Sequence, residues 1–348
     1  MAEQQNAEQQ NIIKDGVGKE PKLKPTPNPV DKSIEKRLFI LSSSPHIKAS
    51  TNVSSIMWLV VATLMPTVIF SIYNFGWRCL TVIATSMITA MIAEELFNLI
   101  RRRKMTIYDG SAALTGLLLA LTLPPGLPLS MVIIGAAFAI VVGKQIFGGL
   151  GHNVFNPALL GRAFLQTSFP IAMTTWTIPR TIDAITAATP LGSYKFEKTL
   201  TPYLDLFIGK VGGCIGETSA LAILIGGLIL IILHISNWRI PVSYLGTVAV
   251  FSGILWLINP AQYPDPIFHL FSGGLMLGAF FMATDMVTSP ITNLGIWIFG
   301  IGAGILVVLI RQFGGLPEGV MYSILLMNGF VPLINRYTRP KYFGEVKS

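Results

Sequence analysis

The sequence predicts an all-α polytopic membrane protein, with about ten transmembrane helices forming two inverted five-helix repeats. Three observations carry that prediction. Apolar residues make up 52% of the 348 positions and charged residues 12%, about half the charged share of an ordinary soluble domain. The charges are clustered: between Val53 and Ile100 only Arg78, Glu94 and Glu95 occur, and from Gly110 to Val142 there are none. Short islands of sequence also recur in the same order in the two halves. The net charge of +8 would point to nucleic acid in a soluble protein. Here the basic residues flank apolar runs and read as topology signals, so no nucleic-acid partner is expected.

A run of about 20 apolar residues spans the hydrocarbon core, and the segments follow from that scale. Val53–Tyr73 and Cys79–Ile100 are separated by Trp77-Arg78, and the second ends at Arg101-Arg102-Arg103-Lys104. Gly110–Leu123 is short, stopped by Leu123-Pro124-Pro125-Gly126. Leu129–Phe147 and Val154–Phe169 complete the first unit. The second comprises Thr218–Ile235, Ser243–Ile258, Phe268–Met282, Leu294–Arg311 and Gly319–Asn335. Its third member is again short, ending before Thr284-Asp285. Interrupted segments at matching places in two halves point to a site at mid-membrane. The domain division expected is a polar tail over 1–52, a repeat over 53–169, a long loop over 170–217, a second repeat over 218–335 and a tail over 336–348.

The repeat rests on Ile140–Leu150 resembling Leu306–Leu316 at an offset of 166, on Trp77-Arg78 and Trp238-Arg239, and on Gly116-Leu-Leu-Leu119 and Gly274-Leu-Met-Leu277. An odd number of helices per unit makes the second copy enter the membrane upside down. Eight Lys and Arg in the first 52 residues, the Arg101–Lys104 cluster, and Arg336, Arg339 and Lys341 then fall on one side, the cytoplasm by the basic-residue rule. Loop 170–217 falls outside. No secretory signal is read at the start, where Pro21, Pro25, Pro27 and Pro29 interrupt a Gln- and Lys-rich stretch.

Within the long loop stands Asp183-Ala-Ile-Thr186-Ala187-Ala188-Thr189-Pro190. Its ordinary reading is the extended start of a turn, since the residue before proline is pushed from the α region. Two small residues before a hydroxyl also leave room for a modifying enzyme. This stretch resembles the flavinylation motif Asp-x-x-(Ser/Thr)-(small)-Ala-Thr of the RnfD/NqrB family, the membrane subunits of the Rnf ferredoxin:NAD oxidoreductase and the sodium-pumping NADH:quinone oxidoreductase. Ala187 stands where glycine is common. Two further motifs resemble the family's: Asn153-Val-Phe-Asn156-Pro157-Ala158 with Arg162-Ala163-Phe164, and Met282-Ala283-Thr284-Asp285-Met-Val-Thr288-Ser289-Pro290. The similarity runs from about Ser44 to Tyr342, with the length of the RnfD branch.

The resemblance implies FMN bound through its phosphate to the Thr189 hydroxyl, with Asp183, Thr186, Ala187 and Ala188 as the attachment motif read by a flavin transferase. It also implies a second, non-covalent riboflavin, to which no residues are matched. Expected partners are other Rnf-type subunits, including flavin and iron–sulfur proteins, together with membrane lipid and Na⁺ or H⁺. The expected location is the bacterial or archaeal cytoplasmic (inner) membrane with both termini cytoplasmic. No complete catalytic site is expected in this chain.

Asp285, Glu94 and Glu95 are ion-coupling candidates, because an acid within a bilayer is costly unless it has a task. The alternative for Asp285 is a cap or interfacial acid, and for the glutamates an interfacial pairing with Arg101–Lys104. Arg162 reads as a holder of an anion or of a helix end. His46, His152, His234 and His269 lack ligand spacing, and Cys79 and Cys214 lack a cluster motif, so no metal site is expected. Gly300-Ile-Gly302-Ala-Gly304 reads as a packing surface. The competing functions are an inverted-repeat transporter or channel without redox activity, and a scaffold that only positions redox partners.

Overall fold

Several helices end where glycine or a charged residue intervenes, as at Gly76, Gly209, Gly314 and Arg101. The computed structural model describes residues 52–177, 188–217 and 219–340. In order, the helices are α1 (Val53–Phe75), α2 (Trp77–Ile100), α3 (Ser111–Leu121), α4 (Leu129–Ile140), α5 (Pro157–Ser168), α6 (Pro190–Glu197), α7 (Tyr203–Ile208), α8 (Ala220–Ile232), α9 (Arg239–Ile258), α10 (Pro266–Phe271), α11 (Leu275–Leu277), α12 (Asn293–Phe313) and α13 (Val320–Tyr337), with a further helical turn at Pro170–Met173. No β-strand element occurs among the described residues. Four helices, α1, α2, α9 and α12, are long and apolar enough to cross a membrane. The chain is an all-α membrane protein.

Capping side chains open several helices. Asn156 accepts from the amides of Ala158 and Leu159 ahead of Pro157 at the first helical position, Ser219 caps α8, Asp265 caps α10 and Thr292 caps α12; each satisfies donors that a helix start leaves free. Between α1 and α2 the turn is made at Gly76 with φ of 70°, a conformation only glycine adopts freely.

Packing follows small residues. A side chain at Gly300 would overlap Ser243, and a Cβ at Gly304 would stand 2.7 Å from Thr247 Cβ, so α12 lies close against α9. A Cβ at Gly116 would stand 2.8 Å from the Met87 Cα, and Ser86 Oγ donates to the Gly116 carbonyl at 2.7 Å. Close backbone approach is how helices associate in lipid, where burying apolar surface alone gives no drive. The Gly300–Gly304 stretch is thus the packing surface its sequence suggests.

Two expectations are corrected. The eighth predicted segment is not one helix: α10 stops at Phe271, and the chain restarts at α11 and continues as a π-helical turn, Gly278–Met282. Gly273, with φ of 66°, makes the break. The long loop also contains helices α6 and α7, which apolar periodicity did not mark because both are short.

Candidate functional site

Thr189 occupies the N-cap of α6, held extended at φ −65° and ψ 155° ahead of Pro190. Its Oγ1 accepts from the Gly192 amide at 3.1 Å. Although a modifiable hydroxyl is expected to be accessible, Thr189 is only 5% exposed, because α6 is docked rather than loose. Leu191 and Tyr194 pack with Leu206 and Phe268, and the Tyr194 hydroxyl donates to the Gln262 carbonyl at 3.0 Å. Lys195 donates to the carbonyls of Arg311 at 3.2 Å and Leu316 at 3.0 Å, and also to that of Gly314. Those carbonyls lie at and beyond the end of α12, where a helix leaves acceptors unpaired. Burial pushes the Lys195 ammonium below the usual lysine range.

Beside Thr189 lies a cavity of about 470 Å³, bordered by Arg162, Trp176, Phe196, Leu316, Glu318 and Tyr322. Aromatic and apolar walls with a few polar groups suit a planar heteroaromatic ligand. The threonine at the rim therefore fits a tethered flavin in the donor chemistry of its surroundings as well as in its motif. Ala188 is exposed beside it, whereas Asp183, Thr186 and Ala187 lie outside the described residues.

Arg162 joins three parts of the chain. Its guanidinium donates to Glu318 Oε2 at 2.6 Å and to Cys214 Sγ at 3.4 Å, and stands 3.8 Å from Glu217 Oε1. The sequence offers Arg162 an anion or a helix end, and the structure supplies two carboxylates. The Cys214 sulfur and a carboxylate oxygen each of Glu217 and Glu318 lie within 4.8 Å of one another, a grouping that sequence spacing did not reveal because Glu318 lies far along the chain, just before α13. An acid immediately before an apolar run, as Glu217 is, was the available signal.

A second cluster forms around Lys144. Its Nζ lies 2.8 Å from Glu94 Oε1 and donates to Ser111 Oγ at 2.6 Å, while Gln145 Nε2 donates to Glu94 Oε1 at 2.8 Å. Glu94 therefore does not pair with the Arg101–Lys104 cluster: its side chain points inward, to the π-helical turn that continues α4. Glu95 accepts from the Thr106 amide at 2.8 Å, a loop contact rather than an ion pair. Asp285, half-buried, accepts from Thr288 Oγ1 at 3.0 Å and from the Val287 amide at 3.4 Å. Asp285 and Lys144 border one cavity with Ser111, Asn153 and Asn156; Glu94 reaches it only through Lys144, and Glu95 does not.

Comparison with known proteins agrees with the three motifs. A model of the NQR2, RnfD, RnfE family matches residues 40–344. In Clostridium ljungdahlii the subunit designated D of a proton-translocating ferredoxin:NAD(+) oxidoreductase complex is 48% identical to this chain over 323 residues, covering 89% of this chain and 98% of that protein. The Na(+)-translocating counterpart of Acetobacterium woodii is 46% identical over 311 residues, covering 88% and 96%. The corresponding subunit of an ion-translocating oxidoreductase complex of Salmonella newport is 39% identical over 350 residues, covering 89% and 99%.

Proposed function

The chain belongs to the NQR2, RnfD, RnfE family, and from that premise we propose that it is the Rnf-type membrane subunit that carries FMN as a phosphoester on Thr189. As the RnfD-type member of an ion-translocating ferredoxin:NAD⁺ oxidoreductase, it works within a complex whose other members supply the remaining redox centres, flavin and iron–sulfur proteins among them. A flavin transferase would mature it. The moved ion is Na⁺ or H⁺, and the relatives include both kinds.

One observation supports the attachment most directly: Thr189 sits at the rim of the aromatic-walled cavity, fixed there by the N-cap bond and by Lys195. Bound there, FMN would supply one-electron chemistry. The chain's own part is to hold the hydroxyl in place, to offer Trp176, Phe196 and Tyr322 as walls, and to set Arg162 and Glu318 at the cavity's polar side.

Ten crossings in two oppositely oriented units remain our reading of the architecture. Supporting it, Gly110 and Gly273 take positive φ before α3 and α11, and a buried cation from a later segment reaches each break. Lys144 donates to Ser111 Oγ; Arg311 donates to the carbonyls of His269 and Ser272. The chain would lie in the cytoplasmic membrane with both termini inside and loop 170–217 outside.

The test expresses the chain with its transferase. Thr189→Ala should abolish the ultraviolet-fluorescent flavin band on a denaturing gel and the flavin increment in intact mass, and Thr186→Ala should retain both. Full fluorescence in Thr189→Ala would overturn the attachment.

A further inference from the structure

Among the described residues, five of the eight buried side-chain polar atoms without a hydrogen-bond partner belong to one connected group: Arg162 Nε, Arg311 Nε, Glu217 Oε1, Glu318 Oε1 and His269 Nδ1. Buried polar atoms are ordinarily satisfied, and each orphan costs free energy. Such a concentration marks a place where water or an exchangeable species completes the bonding.

The contacts show which group is left over. The Arg162 guanidinium is committed to Glu318 at 2.6 Å, and its approach to Glu217 Oε1, at 3.8 Å, is too long for a hydrogen bond. Arg311, from α12, spends both terminal nitrogens on the carbonyls of His269 at 2.7 Å and Ser272 at 2.9 Å. The Cys214 amide reaches Glu217 Oε2 only at 3.5 Å. Glycines make space around the carboxylate: a Cβ on Gly274 would stand 3.0 Å from Glu217 Oε1, and one on Gly213 would stand 3.2 Å from Oε2. The groups facing Glu217 are therefore Arg162 on α5, Glu318 before α13, Arg311 on α12 with His269 on α10 behind it, and the Cys214 thiol. Burial, then the charge of Glu318, push the Glu217 carboxyl up to about 7 against the pull of Arg162.

We propose that Glu217 is a proton-exchange site, filled and emptied through the cavity beside Thr189, with Glu318 and Arg162 at its mouth. A proton suits the place better than a metal cation, because two guanidinium groups repel a metal ion while a proton needs only one new O–H bond. The coupling rests on the flavin reading. One proton from water joins the Glu217 carboxylate for each electron delivered to the Thr189 site by a reduced iron–sulfur or flavin partner. It returns to water when the electron moves on, so charge at the site stays balanced.

The experiment is infrared difference spectroscopy on the full-length protein across about pH 5 to 9, a span that brackets a raised carboxyl. It is run on the flavin-carrying chain and on flavin-free Thr189→Ala. Both should show a protonated-carboxyl stretch that fades as pH rises, shifts in heavy water, disappears in Glu217→Gln and persists, displaced, in Glu217→Asp. No titrating band in either protein would overturn the site, and so would loss of the band on adding Na⁺ at constant pH, which would make it a metal-cation site. In the flavin-carrying chain the band should grow on reduction; a band that titrates but ignores reduction would overturn the coupling. A parent chain with no flavin would overturn the attachment reading and the coupling together, while the band in Thr189→Ala would still support the site.

Discussion

The Lys144 ammonium lies 2.8 Å from the Glu94 carboxylate, with both side chains almost entirely withdrawn from solvent. Removing one partner of such a pair leaves a buried charge, at a cost of about 3–5 kcal/mol, whereas replacing both is far milder. Lys144→Met and Glu94→Gln should each lower the yield and thermal stability of the purified chain. The double variant should recover much of both, as a double-mutant cycle reads directly. Additive losses would show that the pair is not a coupled unit.

Asp285 is our candidate for ion coupling, because it borders the cavity it shares with Lys144 and accepts only from neighbours in its own turn. Asparagine retains an oxygen for the Val287 amide or the Thr288 hydroxyl. Asp285→Asn should therefore fold, assemble and carry flavin normally while moving fewer ions per electron in vesicles. Unchanged ion movement would make Asp285 a turn-forming residue only.

The Glu217 carboxyl, raised from an ordinary 4.5 to about 7, gives a stability prediction with a definite sign. The folded chain holds this proton more tightly than the unfolded chain. Its contribution is complete below about pH 4.5 and is lost as pH climbs to about 7. Glu217→Gln should flatten that part of the stability profile in thermal unfolding. An unaltered slope would assign the pH dependence elsewhere.

Orientation can be tested with impermeant thiol reagents on intact cells. Both native cysteines are buried, so they need not be removed. Leu204, 73% exposed on α7, should label as Leu204→Cys, and Lys347→Cys should label only after the membrane is opened. The reverse pattern would turn the proposed topology over.

Much of this fold was legible because a membrane makes apolar run length decisive. Each predicted segment contains helix, though the eighth is broken into pieces, and the breaks at Pro124-Pro125 and before Asp285 are where expected. The interruption at Ser272–Gly274 was hidden, since two adjacent glycines inside an apolar run look like packing glycines, as were the short helices α6 and α7. The Thr189 motif was legible as a pattern, but its burial was not, because docking of α6 depends on Lys195 finding carbonyls at and beyond the end of α12. Glu94 finding Lys144, and Glu217 finding Arg162 and Glu318, could not be read locally: each contact joins residues distant in the chain, and charge proximity in sequence pointed to the wrong partner for Glu94.

If Thr189 carries the proposed flavin, its N-cap bond would also set an order of events during biogenesis. An enzyme that builds an ester on this oxygen needs the hydroxyl in the open, yet in the finished fold that oxygen is engaged by the Gly192 amide and shielded by its surroundings. On the proposed attachment, flavin loading would then come early, on a chain whose α6 has not yet settled against α12, or wait for that helix to lift away. Docking of α6 would thereby serve as a seal on maturation, closing over the proposed cofactor once it has been installed.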